Sequence, residues 1–195
     1  ILCGPIHEPG EHGSVFAVAN FRQLHPVIVD AHSRLSPEAQ LRAALGRAKE
    51  LGLSLMATLV LDGVSPDSPL VAKNPHWFAS ADDMLDMGLD DAPESSVVLD
   101  EGVAPFAWTR RPDGLLSFAL SIVEWLLDLG FDAFLCHAAH RVPGSVWGEI
   151  IRRARTRHPE VRFLADTLGC TAFQTRDMAR HGFQAVLNSS KWWDF

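Results

Sequence analysis

The strict alternation of short apolar runs with amphipathic segments is the feature that most constrains the fold. The clearest apolar run, LSLMATLVL at 53–61, is typical of a strand buried on both faces of a parallel sheet. Before it, Ser36 can cap a helix that holds Pro37 in its first turn and ends at Gly52. The whole pattern predicts strands at about 1–6, 53–61, 131–136, 161–165 and 183–188, and helices at about 36–52, 114–130, 145–157 and 171–182.

Five strands alternating with four helices indicate the α/β class. The sheet is then parallel and is either doubly wound or part of a closed (β/α) barrel. No GxGxxG or P-loop stretch follows a predicted strand, which removes the usual argument for a nucleotide-binding open sheet. In a barrel, the chemistry is expected at the C-terminal ends of the strands.

Composition and charge narrow the class further. The chain has 195 residues, of which 47% are hydrophobic, enough for one globular domain with a substantial core. Its net charge of −7 argues against a general electrostatic attraction to nucleic acid or to an anionic membrane. The arginines at 152–157 are interpreted as a solvated helix face. We therefore expect neither nucleic acid nor a membrane as a partner.

The three cysteines, Cys3, Cys136 and Cys170, are far apart and form no CxxC or Cys/His spacing. Neither a disulfide framework nor a structural zinc site is indicated, and a cytoplasmic location is favoured. The N-terminus shows no signal peptide and begins in the middle of a predicted strand. Because the C-terminus also stops abruptly, both ends are expected to be cuts within a larger protein.

Residues 62–113 interrupt the alternation. Pro, Asp, Ser and Gly dominate this segment, and an aromatic cluster, NPHWF, lies at 74–78. We expect a long surface loop here, and loops of this length are usually functional.

Polar and aromatic side chains collect where the predicted strands end. The segment GFDAFLCHAAHR brings His137 to the end of a buried strand, followed closely by His140 and Arg141. Aromatic rings beside polar groups suit sugars, although packing is an equally simple interpretation of the tryptophans. The candidates at these strand ends are His7, Glu8, Asp62, His137, His140, Arg141, Asp166, Asn188, Lys191, Trp192 and Trp193.

Three segments together resemble the catalytic (β/α) barrel of the α-amylase superfamily of glycoside hydrolases. They are GFDAFLCHAAHRVPGSVW, VRFLADTLGC and LNSSKWWDF. The resemblance is to branches that include the maltosyltransferases, which act on α-1,4-glucans, and it covers nearly the whole chain. It implies a partial (β/α)8 barrel in which residues 1–195 form one domain fragment, from the second to the sixth barrel unit.

The resemblance also implies roles for individual residues. In this family two carboxylates about 5 Å apart act through a glycosyl-enzyme intermediate. His137 matches the nucleophile, Leu135 the arginine before it, and Asp166 the acid/base glutamate. Thr58, Asp62 and Gly63 match the third-strand pattern, and Phe16, Phe21 and His140 match tyrosines that flank the sugar. The implied substrate-binding set is Phe16, Thr58, Asp62, Leu135, His140, Arg141, Asn188 and Trp192.

These substitutions predict a site that binds but does not catalyse. Histidine at position 137 lacks the negative charge that an oxocarbenium-like transition state requires. Leu135 removes the cation that would hold a carboxylate ionised, and Asp166 is one methylene shorter than glutamate. The family's third carboxylate lies on a seventh strand, beyond the predicted units. We therefore expect an α-glucan or maltooligosaccharide as the partner, no cofactor, and no hydrolysis.

Two other functions fit the same residues. One is a non-catalytic carbohydrate-binding barrel that keeps the cleft and its aromatic side chains. The other is a metal-dependent barrel hydrolase that uses His137, His140 and Asp166, because strand ends in a barrel can supply metal ligands. The scatter of the remaining histidines makes the metal-dependent reading the weakest of the three.

Overall fold

A computed structural model describes residues 1–80 and 102–188 of the chain. The strands in chain order are β1 (Leu2–Cys3), β2 (His7–Pro9), β3 (Val18–Leu24), β4 (Met56–Leu59), β5 (Gly63–Val64), β6 (Ala104–Pro105), β7 (Ala133–Cys136), β8 (Arg162–Asp166) and β9 (Ala185–Leu187). The main sheet is five-stranded, with the order β1-β4-β7-β8-β9, and every pairing in it is parallel.

Helices connect the strands of this sheet. They are α1 (Pro37–Glu50), α2 (Pro69–Lys73), α3 (Leu115–Leu129), α4 (Gly144–Arg157) and α5 (Ala172–Met178). Short 3-10 turns lie at Pro26–Ile28, Pro75–Trp77, Trp108–Arg110 and Ala139–Arg141. Because α1, α3, α4 and α5 each join one strand of the main sheet to its neighbour, the predicted alternation and the α/β class are confirmed.

The two faces of the main sheet differ in burial. Ala57, Phe134 and Phe163 lie side by side across β4, β7 and β8, and all three are fully buried in the core. The next residues in register point to the opposite face, where Thr58 is buried but Leu135 and Leu164 are only half-buried. A complete parallel sheet, whether doubly wound or closed into a barrel, buries both faces, so the partly open face agrees with an incomplete section of a barrel.

Local sequence signals account for the helix ends. The hydroxyl of Ser36 accepts a hydrogen bond from the backbone N–H of Ala39 at 3.3 Å, as expected for an N-cap. Gly52, at φ +74°, takes the left-handed conformation that lets the chain leave α1. The first strand is shorter than the predicted 1–6 because Pro5 has no N–H to donate to a ladder.

Two antiparallel pairs, β2 with β3 and β5 with β6, lie outside the predicted pattern. β3 has seven residues, yet it buries Val18, Phe21 and Leu24, which are three residues apart rather than two. The pairing of β2 with β3 is irregular on both sides of Glu8, and such bulges disturb the alternation that marks a strand in sequence.

The predicted excursion at 62–113 contains β5, α2, β6 and two of the 3-10 turns within its described part. Residues 81–101 lie outside the described residues. Across the two described ranges, the structure holds no helix with both the length and the apolar character needed to cross a membrane.

Candidate functional site

The candidate site lies where β4, β7 and β8 end. The backbone N–H of His137 donates to the carbonyl of Leu59 at 2.9 Å, which holds the end of β7 against the end of β4. The next residue, Ala138, has φ +42° and ψ +46°, a left-handed conformation that is strained for a residue with a side chain. The chain therefore turns sharply at the strand end and enters the turn Ala139–Arg141.

His137 and Asp166 face each other at this rim. The His137 Nδ1 atom is 3.9 Å from Asp166 Oδ2, beyond hydrogen-bond distance but close enough for an ion pair when the imidazole is protonated. Their side chains keep 20% and 21% of their exposure. The second carboxylate oxygen of Asp166 accepts the backbone N–H of Leu168 at 3.1 Å, which fixes the carboxylate.

Phe16 covers the imidazole of His137. The two rings are stacked, with centroids 4.1 Å apart and planes 17° apart. Phe16 comes from the turn between β2 and β3, so the antiparallel pair that lies outside the main sheet contributes directly to the rim. The result is an aromatic surface beside a carboxylate, an arrangement that suits a sugar ring and its hydroxyls.

A buried ion pair lies beside these groups. Arg141 Nη1 is 3.2 Å from Asp62 Oδ2, and their side chains are only 11% and 7% exposed. Burial lowers the pKa of the neighbouring His140, and the positive charge of Arg141 lowers it further, while Asp62 and Asp166 act in the opposite direction. The pKa of His140 therefore depends on charges from both sides of the rim.

The remaining predicted residues in the described part of the main sheet are Thr58, Leu135 and Asn188. Thr58 is buried and donates its hydroxyl to the carbonyl of Cys3 at 2.9 Å, while Leu135 is its register neighbour on the same face of the sheet. Asn188 is exposed and directly follows Leu187, the register partner of Asp166. Trp192 lies outside the described residues, as do Lys191 and Trp193.

His7 and Phe21 lie in a separate aromatic cluster in the core. The imidazole of His7 is completely buried, 5.1 Å edge-on from Phe21 and 5.7 Å stacked against Trp125, centroid to centroid. Within the described residues, neither nitrogen of His7 has a hydrogen-bond partner. Burial is the main reason that the pKa of His7 falls from 6.5 to about 4. Glu8 lies next to it in β2 and is half-buried.

Neither a metal nor a reactive thiol is supported at this rim. In the described ranges, 1–80 and 102–188, no three His, Cys, Asp or Glu side chains are arranged to hold a metal ion. Burial raises the pKa of Cys170 to about 11, and that of fully buried Cys136 well above the usual value. Both thiols are protonated at neutral pH and unsuited to nucleophilic attack.

Two features of the rim have no signal in the sequence. The pairing of Asp62 with Arg141 joins residues 79 positions apart, and nothing in the local pattern of either one indicates the other. The left-handed conformation of Ala138 is also unmarked, because glycine or asparagine is the usual sign of that conformation.

The architecture is a section of a (β/α) barrel, and solved structures show the same fold. The α-amylase from Lactobacillus plantarum superposes on 93% of this chain with a TM-score of 0.68 and 22% sequence identity. This chain covers 40% of that structure, so it corresponds to a section of the barrel. The predicted partial barrel is thereby confirmed.

No family model matches the chain, but several curated proteins are similar to it in sequence. Two similar relatives are both named α-1,4-glucan:maltose-1-phosphate maltosyltransferase. The Arcanobacterium haemolyticum protein is 26% identical over 162 residues, which are 81% of this chain and 22% of that protein. The Mycolicibacterium smegmatis protein is 23% identical over 184 residues, which are 94% of this chain and 25% of that protein.

The chain thus spans about a quarter of the length of the curated relatives it matches. The chain is therefore similar in sequence to proteins named maltosyltransferases and shares its fold with a solved α-amylase, in agreement with the resemblance found in the sequence.

Proposed function

We propose that this chain is the glucan-binding section of a retaining glycoside hydrolase or transglycosylase barrel, and that it binds maltooligosaccharides without turning them over. The observation that carries the proposal is the meeting of His137 and Asp166 at the C-terminal ends of parallel strands, with Phe16 stacked on His137. Two relatives named as maltosyltransferases of an α-1,4-glucan supply the substrate class.

The charges at the rim support binding over catalysis. In the buried pair, the charges of Asp62 and Arg141 neutralise each other. The carboxylate of Asp166 faces the imidazole of His137 rather than a second carboxylate. A retaining site needs one carboxylate as nucleophile and another as acid, and the position matched to the nucleophile holds His137. Members of such a set act as a unit, and the loss of one usually costs orders of magnitude in rate.

Binding and turnover can be measured on the same purified chain. We expect maltotriose to bind in a calorimetric titration and to bind more weakly to the Asp166→Ala variant. In a fluorogenic α-glucoside assay we expect no release of fluorophore. Turnover that disappears in Asp166→Ala would contradict the proposed inactivity, and the absence of any maltotriose binding would contradict the proposed substrate class.

The second candidate function is a dedicated carbohydrate-binding barrel with no enzymatic counterpart. The stacked Phe16 and His137 favour it, because an aromatic surface needs no catalytic group in order to bind sugar. The triple change His137→Asp, Leu135→Arg and Asp166→Glu, placed in a complete barrel, separates the two functions. Restored turnover would support the enzyme lineage, and continued binding without turnover would support the binding module.

The same proposal includes the organisation of the chain. We propose that residues 1–195 form one domain fragment equivalent to the second to sixth barrel units. We also propose a cytoplasmic location, no cofactor, and neither nucleic acid nor a membrane as a partner. Cell fractionation tests the location, and gel-shift and vesicle-binding assays test the two excluded partners.

A further inference from the structure

A buried ion pair joins Arg141 to Asp62 at this rim. Its nitrogen-to-oxygen distance is 3.2 Å, and both side chains are almost entirely removed from solvent. Removing two charges from water is unfavourable unless their geometry is well defined. The resemblance assigns the cation of this region to position 135, where the chain has Leu135, so Arg141 brings a guanidinium to the rim from a different element.

The pair connects the ends of two neighbouring strands. Asp62 follows β4, and its carbonyl accepts the backbone N–H of Phe106 at 2.9 Å. Arg141 closes the turn after β7, where its own N–H donates to the carbonyl of Ala138 at 2.9 Å. From α4, the indole N–H of Trp147 donates to the carbonyl of Ala139 at 2.9 Å. The turn is therefore held at both its backbone and its last side chain.

Two imidazoles of the rim lie in or next to this turn. His137 precedes it and His140 lies within it, so a displacement of Arg141 would move both imidazoles. The pKa of His140 responds to both members of the pair, because Arg141 lowers it and Asp62 raises it. The ion pair thus acts on its neighbours through the backbone and through its charges.

We propose that Arg141 and Asp62 form a positioning pair that fixes the turn after β7 and so sets how His137 and His140 meet a bound sugar. This inference rests on the proposed glucan-binding function, but it concerns residues that the retaining mechanism does not use. The pair need not touch the sugar, since a displacement of about 1 Å at a binding group can already be costly.

The test uses the single variants Arg141→Gln and Asp62→Asn, with Arg157→Gln as a matched control. Arg157 pairs with Glu124 at 2.9 Å on an exposed helix face, far more open to solvent than the rim. We expect each rim variant to weaken maltotriose binding at least about tenfold, equivalent to about 1.4 kcal/mol, and the control to bind like the unaltered chain.

NMR titration of His140 gives a second measurement, the pKa of its imidazole. A role of the pair in stability alone would leave this pKa unchanged. We expect the pKa of His140 to rise in Arg141→Gln and to fall in Asp62→Asn, because the two variants remove opposite charges. The charge-swapped double variant Asp62→Arg with Arg141→Asp should recover part of the binding. If Asp62→Asn does not fold, Arg141→Lys keeps the charge and should leave the pKa of His140 near its original value.

Unchanged binding in both rim variants, or a pKa of His140 that stays the same in both, would overturn the positioning role. Failure of the unaltered chain to bind maltotriose would instead overturn the proposed function.

Discussion

Two histidines that both contact aromatic rings, His137 and His7, lie in very different environments. His137 stacks on Phe16 at the rim, keeps 20% of its side-chain exposure and faces the carboxylate of Asp166. His7 packs against Phe21 and Trp125, is fully buried and has no hydrogen-bond partner in the described residues. Solvent and a nearby carboxylate make an imidazole available for binding, whereas enclosure by aromatic rings makes it part of the core.

The neighbouring phenylalanines give the largest expected contrast. Phe21 is 2% exposed and contacts both His7 and Phe118, so Phe21→Ala should lower the free energy of unfolding by about 3–5 kcal/mol. Phe16 is half-buried, so Phe16→Ala should cost less than half as much while weakening maltotriose binding. Urea unfolding and calorimetry measure the two effects. Equal losses of stability would remove the distinction between rim and core.

Acid should act mainly through His7. Its folded-state pKa of about 4 lies below the ordinary 6.5, so the unfolded chain takes up a proton first as the pH falls. The contribution to stability is fully present above pH 6.5 and is lost as the pH falls towards 4, by up to about 3 kcal/mol. Arg22, the nearby positive charge on β3, acts in the same direction as burial.

The variant His7→Phe should remove this pH dependence while keeping the aromatic packing. Urea unfolding at pH 7 and at pH 4.5 measures it, with His32→Gln in an exposed turn as the control. If the free energy of unfolding changes with pH equally in His7→Phe and in the unaltered chain, groups other than His7 control the sensitivity to acid.

The smallest expected effect concerns the strained residue beside His137. Ala138→Gly should raise the free energy of unfolding by up to about 1 kcal/mol, because glycine adopts a φ of +42° without steric cost. The reference variant Ala43→Gly, at an exposed position of α1, should lower it by about 1 kcal/mol. A lower free energy of unfolding in Ala138→Gly would mean that packing of the Ala138 methyl group stabilises the fold by more than the backbone strain destabilises it.

Most of the main sheet follows from the sequence pattern. The run at 53–61 and the capped helix before it correspond to β4 and α1, since both depend on short-range periodicity and end signals. The pair of β2 and β3 was not predicted from the sequence, because its bulges break the alternation of apolar and polar residues. This pair supplies Phe16 to the site. At the site, strand-end positions brought His137 and Asp166 together as expected, while their roles stay predictions.

The sequence by itself determined the parallel α/β order and the strand ends that carry polar groups, because both are written in local patterns of apolar residues and breakers. Only the tertiary structure decided that Arg141 pairs with Asp62 and that His7 is enclosed while His137 is not. The physical reason is that charge pairing and burial depend on which side chains the packed fold brings within a few ångströms, across separations of up to 118 residues between His7 and Trp125.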